Sequence, residues 1–183
     1  TLYFKMEKYE QAKLLWEEAL EIDKLNLGET HAYVGGDLMN LGRVHQKQSR
    51  YEKAEAYFRQ SLRIFEGAFS ANHPYLTNTL IPLGEILLAT GHPAEAGVMF
   101  SRTLAIQEEA LEEGHWKIGQ AKILSGASLL ALEEYPLSEP LLKDGYEILK
   151  KEKGLLDAHT QKAQTYLAGL YQKTGRKSLA ESL

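Results

Sequence analysis

Three histidines, His31, His73 and His115, recur at intervals of 42 residues and are the most obvious candidates for metal ligands. A zinc site needs ligand nitrogens within about 2.0–2.1 Å of one ion. A helix with its side chains is about 10–12 Å across, so equivalent residues of successive helical units cannot share an ion. We therefore expect each histidine to lie in the turn that begins a helix, and we predict no metal ion and no cofactor.

The remaining reactive residues do not form a catalytic pattern. Paired carboxylates catalyse acid–base steps when burial separates their pKa values, but the acidic clusters here lie at a helix end or in a turn, where solvation is expected. These clusters are Glu108-Glu109, Glu112-Glu113 and Glu133-Glu134. The other three histidines, His45, His92 and His159, are isolated, and we expect them to pack or to be solvated. No cysteine is present to act as a nucleophile. We predict that the protein is not an enzyme.

Composition excludes two further classes of function. The chain has 183 residues, of which 44% are hydrophobic, and a formal net charge of −4. A folded protein without a basic stripe is expected, which argues against nucleic-acid binding. No apolar run approaches the length of about 18 residues that a membrane helix needs. We therefore predict no membrane insertion and a cytoplasmic location.

The elements that position these residues follow a 42-residue repeat. Tyr9-Glu10-Gln11-Ala12 recurs as Tyr51-Glu52-Lys53-Ala54, and the same register continues through Ala96 and Ser138. Further columns keep the register, among them Ile22, Ile64, Ile106 and Ile148, and Gly42, Gly84, Gly126 and Ala168. Each unit shows two stretches with apolar residues at three- and four-residue steps, which predicts two amphipathic helices. Short breakers between them predict antiparallel packing, with helices near 8–25, 31–48, 51–67, 73–90, 93–110, 115–132, 135–152, 157–173 and from 177.

The order Leu-Gly, then Tyr-x-x-Ala, then a small residue and Leu resembles the tetratricopeptide repeat (TPR), here with the 42-residue period of the kinesin light chain group. Similar arrays occur in bacterial signalling proteins. The resemblance implies an all-α fold, an α-solenoid of antiparallel helix pairs in a right-handed superhelix with about four repeats. The expected organisation is a single array over 1–183. It comprises a partial helix at 1–8, repeats at 9–50, 51–92, 93–134 and 135–176, and the start of a further helix at 177–183.

The resemblance also implies a concave groove, lined by the first helix of each repeat, that binds a peptide or a partner helix. The groove positions that it predicts are Met39, Asn40, Arg43, Gln46, Lys47, Asn78, Ile81, Glu85, Gln120, Ile123, Lys162, Thr165 and Tyr166, with Thr1, Phe4 and Lys5 from the truncated first helix. Asn and Gln amides can satisfy both the donors and the acceptors of an extended peptide. Arg43 and Lys47 add donors for a carboxylate. The alternative is that Asn40 and Arg43 only solvate a helix face.

Pro82 lies within a predicted helix, where proline removes the backbone hydrogen bond to the carbonyl of Asn78. That carbonyl could serve as a spare acceptor for a groove ligand, or a kink at Pro82 could only adjust the superhelix. Sequence alone leaves both readings open.

Three hypotheses for function follow in order. The first is a non-catalytic interaction module that acts as a scaffold or regulatory part of a larger protein. The second is a structural or oligomerisation spacer that uses helix ends and the convex surface, and the third is an enzyme fragment. Because 183 residues make about four and a third repeats without polar caps at the ends, we also expect a piece of a longer array, or end-to-end self-association through the terminal helices.

Overall fold

The structure is a computed structural model that describes Phe4 and residues 8–183. Within these residues the chain is helical and contains no strand. The helices are α1 (Tyr9–Leu27), α2 (Ala32–Lys47), α3 (Tyr51–Ala68), α4 (Thr77–Ala89), α5 (Pro93–Ala110), α6 (Trp116–Ala131), α7 (Tyr135–Lys153), α8 (Ala158–Lys173) and α9 (Lys177–Glu181). They match the predicted helices to within a few residues, except that a 3-10 turn over Pro74–Leu76 precedes α4.

The chain divides into two compact units, Thr1–Thr90 with α1 to α4 and Gly91–Leu183 with α5 to α9. In unit 1, α2 packs against α1 and α3, and α4 packs against α3. In unit 2, each helix from α5 to α9 packs against the next one in sequence. The predicted partial helix at 1–8, including Thr1 and Lys5, falls mostly on residues outside the described part of the chain. Within the described helices, none is both long enough and apolar enough to cross a membrane.

Four helix starts use the same hydrogen bond at 42-residue intervals. Nδ1 of His31, His73 and His115 accepts from the backbone N–H two residues later, at 3.1–3.2 Å. At the fourth position the carboxylate of Asp157 accepts from the N–H of His159 at 2.9 Å. These N-cap bonds satisfy a donor that the first turn of a helix leaves without a partner. The prediction that the periodic histidines begin helices is confirmed.

Glycines and small residues let α2 and α3 pack closely in unit 1. A Cβ on Gly42 would lie 2.9 Å from the ring of Phe58, which is fully buried. The hydroxyl of Ser61 donates to the carbonyl of Gly35 at 2.7 Å. This hydrogen bond links α3 to the backbone of α2 at a glycine, where α2 has no side chain.

Unit 2 repeats this arrangement between α6 and α7. A Cβ on Gly145 would lie 2.8 Å from the carbonyl oxygen of Gly119, so the two backbones are in direct contact. Ser138 donates to the carbonyl of Gly126 at 2.7 Å, so small residues of the two helices face each other. Leu142 and Tyr146 of α7 then pack in a buried cluster with Leu167 of α8.

Asp37 is a buried carboxylate in α2 and is only 6% exposed. Burial raises its pKa to about 6, and both the charge of Asp23 and a hydrogen bond with that residue act in the same direction. One carboxyl oxygen of Asp37 has no partner among the described residues. At neutral pH the fold therefore contains a poorly compensated charge between α1 and α2.

We expect Gly42→Ala to lower the free energy of unfolding by about 1–3 kcal/mol, because its Cβ would overlap the Phe58 ring in a packed core. Gly36, in the same helix, has open space where a Cβ would lie. Gly36→Ala is thus the matched control and should stabilise the protein by about 0.5–1 kcal/mol through reduced chain entropy. Urea denaturation measures both, and equal effects of the two variants would contradict the close packing.

We expect Asp37→Asn to stabilise the protein by about 1–3 kcal/mol at pH 7, since one pKa unit corresponds to about 1.4 kcal/mol. The pKa of Asp37 in the folded protein lies above the ordinary value of 3.8, so wild-type stability should fall as the pH rises from 3.8 to about 6 and level off above that. The advantage of the variant should vanish at low pH. Thermal denaturation as a function of pH tests this, with the exposed Glu21→Gln in α1 as control. A less stable Asp37→Asn protein at pH 7 would contradict it.

Candidate functional site

In unit 1, the predicted groove residues of α2 and α4 form a partly exposed polar surface. Seven of them constitute what we call the α2/α4 face: Asn40, Arg43, Gln46, Lys47, Asn78, Ile81 and Glu85. Lys47 and Asn78 are exposed and the other five are half-buried. Their spacing of three or four residues places those of each helix on one side of it. Amides, cations, one carboxylate and one apolar side chain are thus presented together.

Arg43 connects the two helices of this face. Its Nη2 donates to the carbonyl oxygen of Asn78 at 3.4 Å, which is long for a hydrogen bond of this type. Pro82 has no N–H, so this carbonyl lacks the bond that residue 82 would otherwise donate within α4. Burial lowers the pKa of Arg43, and nearby Tyr75 opposes this effect. The carbonyl freed by Pro82 is therefore contacted by a cation from the neighbouring helix.

In unit 2, the predicted residues lie on α6 and α8. The ones with accessible surface form the α6/α8 face: Gln120, Lys162, Thr165 and Tyr166. The amide nitrogen of Gln120 lies 3.4 Å from Nδ1 of His159 and joins the two helices. Next to them, Nζ of Lys153 lies 4.1 Å from the ring centroid of Trp116, a cation–π contact. This face is more aromatic than the α2/α4 face.

Two predicted groove residues are buried and do not belong to either face. Met39 is 5% exposed and Ile123 is 3% exposed. Ile123 packs so close to α7 that its Cγ1 lies 2.9 Å from the position of a Cβ on Gly145. The prediction that both contact a peptide does not agree with this burial. For Ile123 the reason is the missing side chain at Gly145, which lets Ile123 pack into the interface between α6 and α7.

The residues first considered for chemistry are engaged in local structure. Each periodic histidine uses Nδ1 as an N-cap, and the described residues contain no group of three potential ligands that could hold a metal ion. In the acidic stretch of unit 2, Lys122 binds Asp144 and lies 4.0 Å from Glu108. This arrangement is an ion-paired surface.

A basic pocket in unit 1, which we call the α1/α3 pocket, was not predicted from the sequence. It has a volume of about 300 Å³, and its lining includes Lys13, Glu17, His45, Arg50, Lys53 and Tyr57. His45 was expected only to pack or to be solvated. No short motif marks the pocket, because its cations come from two helices and a turn.

A family model of the tetratricopeptide repeat matches residues 1–66 and 36–109, which together cover more than half of the chain. No curated protein has detectable similarity to the sequence. Two crystal structures of a candidate kinesin light chain from Podosopora anserina with nearly identical TPR-like repeats share its fold. They have TM-scores of 0.83 and 0.81 at 20% identity and cover 98% of this chain and 85% of that one. BtubC (BKLC) from P. vanneervenii gives 0.70 at 17% identity, covering 95% of this chain and 71% of that one.

We expect Pro82→Ala to stabilise the protein by about 1–3 kcal/mol, because the new N–H restores the bond to the carbonyl of Asn78. In that background Arg43→Ala should cost less than in the wild type, since the carbonyl no longer depends on the guanidinium. Denaturation of the four proteins in this double-mutant cycle measures the coupling. Equal costs of Arg43→Ala in the two backgrounds would show that the Arg43–Asn78 contact does not depend on Pro82.

Proposed function

Because the chain belongs to the tetratricopeptide repeat family, we propose that it is a non-catalytic interaction module that binds a peptide or a partner helix on the α2/α4 face. Tetratricopeptide repeats serve in general as protein-interaction scaffolds. The observation that carries the specific proposal is the contact between Arg43 and the Asn78 carbonyl. It joins two helices through a backbone acceptor and a cation that remain at the surface of the molecule.

The chemistry of this face favours an extended segment that carries a carboxylate. Asn40 and Gln46 can each pair with both a donor and an acceptor of a peptide backbone. Arg43 and Lys47 supply charge-assisted donors, which are the stronger kind of hydrogen bond. Ile81 offers an apolar contact beside them. A ligand with one acidic and one apolar side chain would use all of these groups.

The α6/α8 face provides a second binding surface of different character. Tyr166 contributes an aromatic ring to it, while Gln120 and Thr165 provide hydrogen-bonding groups. Thr165 already donates to the carbonyl of Gln161 at 2.9 Å, so its oxygen is left to accept from a ligand. We propose that this face binds a separate segment. A scaffold or regulatory role, a cytoplasmic location and end-to-end self-association stay predictions.

The test is to select peptides from a displayed library on the immobilised protein and to measure their affinity by calorimetry. Asn40→Ala combined with Arg43→Ala should weaken a selected peptide at least about tenfold, which corresponds to about 1.4 kcal/mol. The matched control combines Gln11→Ala and Glu21→Ala, two exposed positions of α1, and should bind normally. Circular dichroism verifies that both proteins are folded. Undiminished binding by the first variant would refute the α2/α4 face as the binding site.

A further inference from the structure

The α1/α3 pocket lies on a side of α2 that the proposed peptide face does not use. His45 belongs to α2, while Lys13 and Glu17 come from α1, and Lys53 and Tyr57 come from α3. Along a helix each residue advances by about 100°, since there are about 3.6 residues per turn. His45 is therefore rotated by about 160° from Arg43 and about 140° from Asn40. A ligand in this pocket would not compete with one on the α2/α4 face.

The imidazole of His45 is the buried polar group of this pocket. The residue is only 4% exposed, and its Nδ1 has no hydrogen-bond partner among the described residues. Its ring stacks on Tyr57 with a centroid distance of 5.3 Å and an interplanar angle of 8°, which fixes its orientation. A buried polar atom without a partner costs about 1–3 kcal/mol, and such groups are rare in native proteins. A ligand that contacts His45 would offset this cost.

The surroundings of His45 are positively charged. Burial lowers its pKa, and Arg50, Lys53 and Lys13 lower it further, while Glu17 alone opposes them. This charge is local, because the whole chain carries a net charge of −4. The imidazole is thus neutral at pH 7, while the pocket around it attracts anions.

One carboxylate at the rim partly compensates these cations. The carboxylate of Glu10 lies 3.3 Å from Nζ of Lys13 and 3.7 Å from Nη2 of Arg50. It also accepts a hydrogen bond from Nε2 of Gln48 at 2.8 Å. Together with Glu17, this leaves one net positive charge among the groups of the pocket, and Lys53 has no acidic partner in the described residues. A single negative charge therefore matches the site better than a phosphate dianion does. The volume of about 300 Å³ is at the small end for ligand pockets and suits one side chain.

We propose that the α1/α3 pocket binds an aspartate or glutamate side chain of an acidic peptide segment, separately from the α2/α4 face. The carboxylate lies between Lys53 and Arg50, and the ring of His45 forms the floor beneath it. Lys13 provides a further cation from α1. Two acidic segments, or two parts of one segment, can then be held on different sides of α2.

The probe for this proposal is an acetylated and amidated hexaglutamate peptide, with hexaglutamine as the uncharged control. NMR titration of the His45 ring measures its pKa with and without peptide. Saturating hexaglutamate should raise this pKa by about one unit, because a nearby carboxylate favours the imidazolium, and hexaglutamine should leave it unchanged. An unchanged pKa at saturation with hexaglutamate overturns the proposal. A rise with inorganic phosphate alone overturns the choice of a carboxylate.

Charge reversals establish which face holds the peptide. Lys53→Glu should weaken hexaglutamate binding at least about tenfold and abolish the pKa rise, because like charge in the pocket repels the ligand. Lys177→Glu, an exposed position in unit 2, makes the same charge change and should bind as the wild type does. Lys47→Glu discriminates between the sites. If Lys47→Glu weakens the peptide at least about tenfold and Lys53→Glu does not, the peptide binds to the α2/α4 face, and the pocket is refuted while the proposed function is retained.

Discussion

Close approach of paired helix backbones is the constraint on which the described structure depends. Where α2 meets α3, the ring of Phe58 occupies the space that a side chain on Gly42 would fill, and Ser61 binds the carbonyl of Gly35. Where α6 meets α7, Gly119 and Gly145 touch directly. Such contacts leave no tolerance for added volume. They fix how each helix is rotated, and this rotation determines which side chains face the surface.

The repeat, the helices and the helix starts were predictable because each depends on residue types that can be read directly along the sequence. A 42-residue register needs only matching residue types, and a histidine that accepts from the N–H two residues later needs only a short stretch of chain. The burial of Ile123 was harder to predict, because it depends on the missing side chain at Gly145 in another helix. The same holds for Asp37, whose raised pKa depends first on its burial and then on Asp23 in the preceding helix. Neither relation produces a pattern along the sequence.

The candidate surfaces show the same division. Resemblance to a family placed Arg43 and Asn78 on a common face, and proline chemistry identified the carbonyl that Arg43 contacts. The α1/α3 pocket had no such guide, because Lys13 and Lys53 are unremarkable surface lysines until α1 and α3 bring them to either side of His45. The 42-residue period describes residues that recur in each unit, whereas the residues that line this pocket do not recur. Thr79, Ala121 and Ala163 stand at the positions equivalent to Asp37, and Leu87 stands at that of His45.

The N-caps have a consequence for how such a chain can change in length. Each N-cap hydrogen bond joins residues that are two positions apart, so the capping residue and its donor always lie in the same unit. Tandem duplication or loss of a 42-residue coding segment would keep each capping residue together with its donor. A histidine can be exchanged for aspartate without altering its capping role, as at Asp157. Gene rearrangement can therefore vary the number of repeats while keeping the helix starts that are capped by histidine or aspartate.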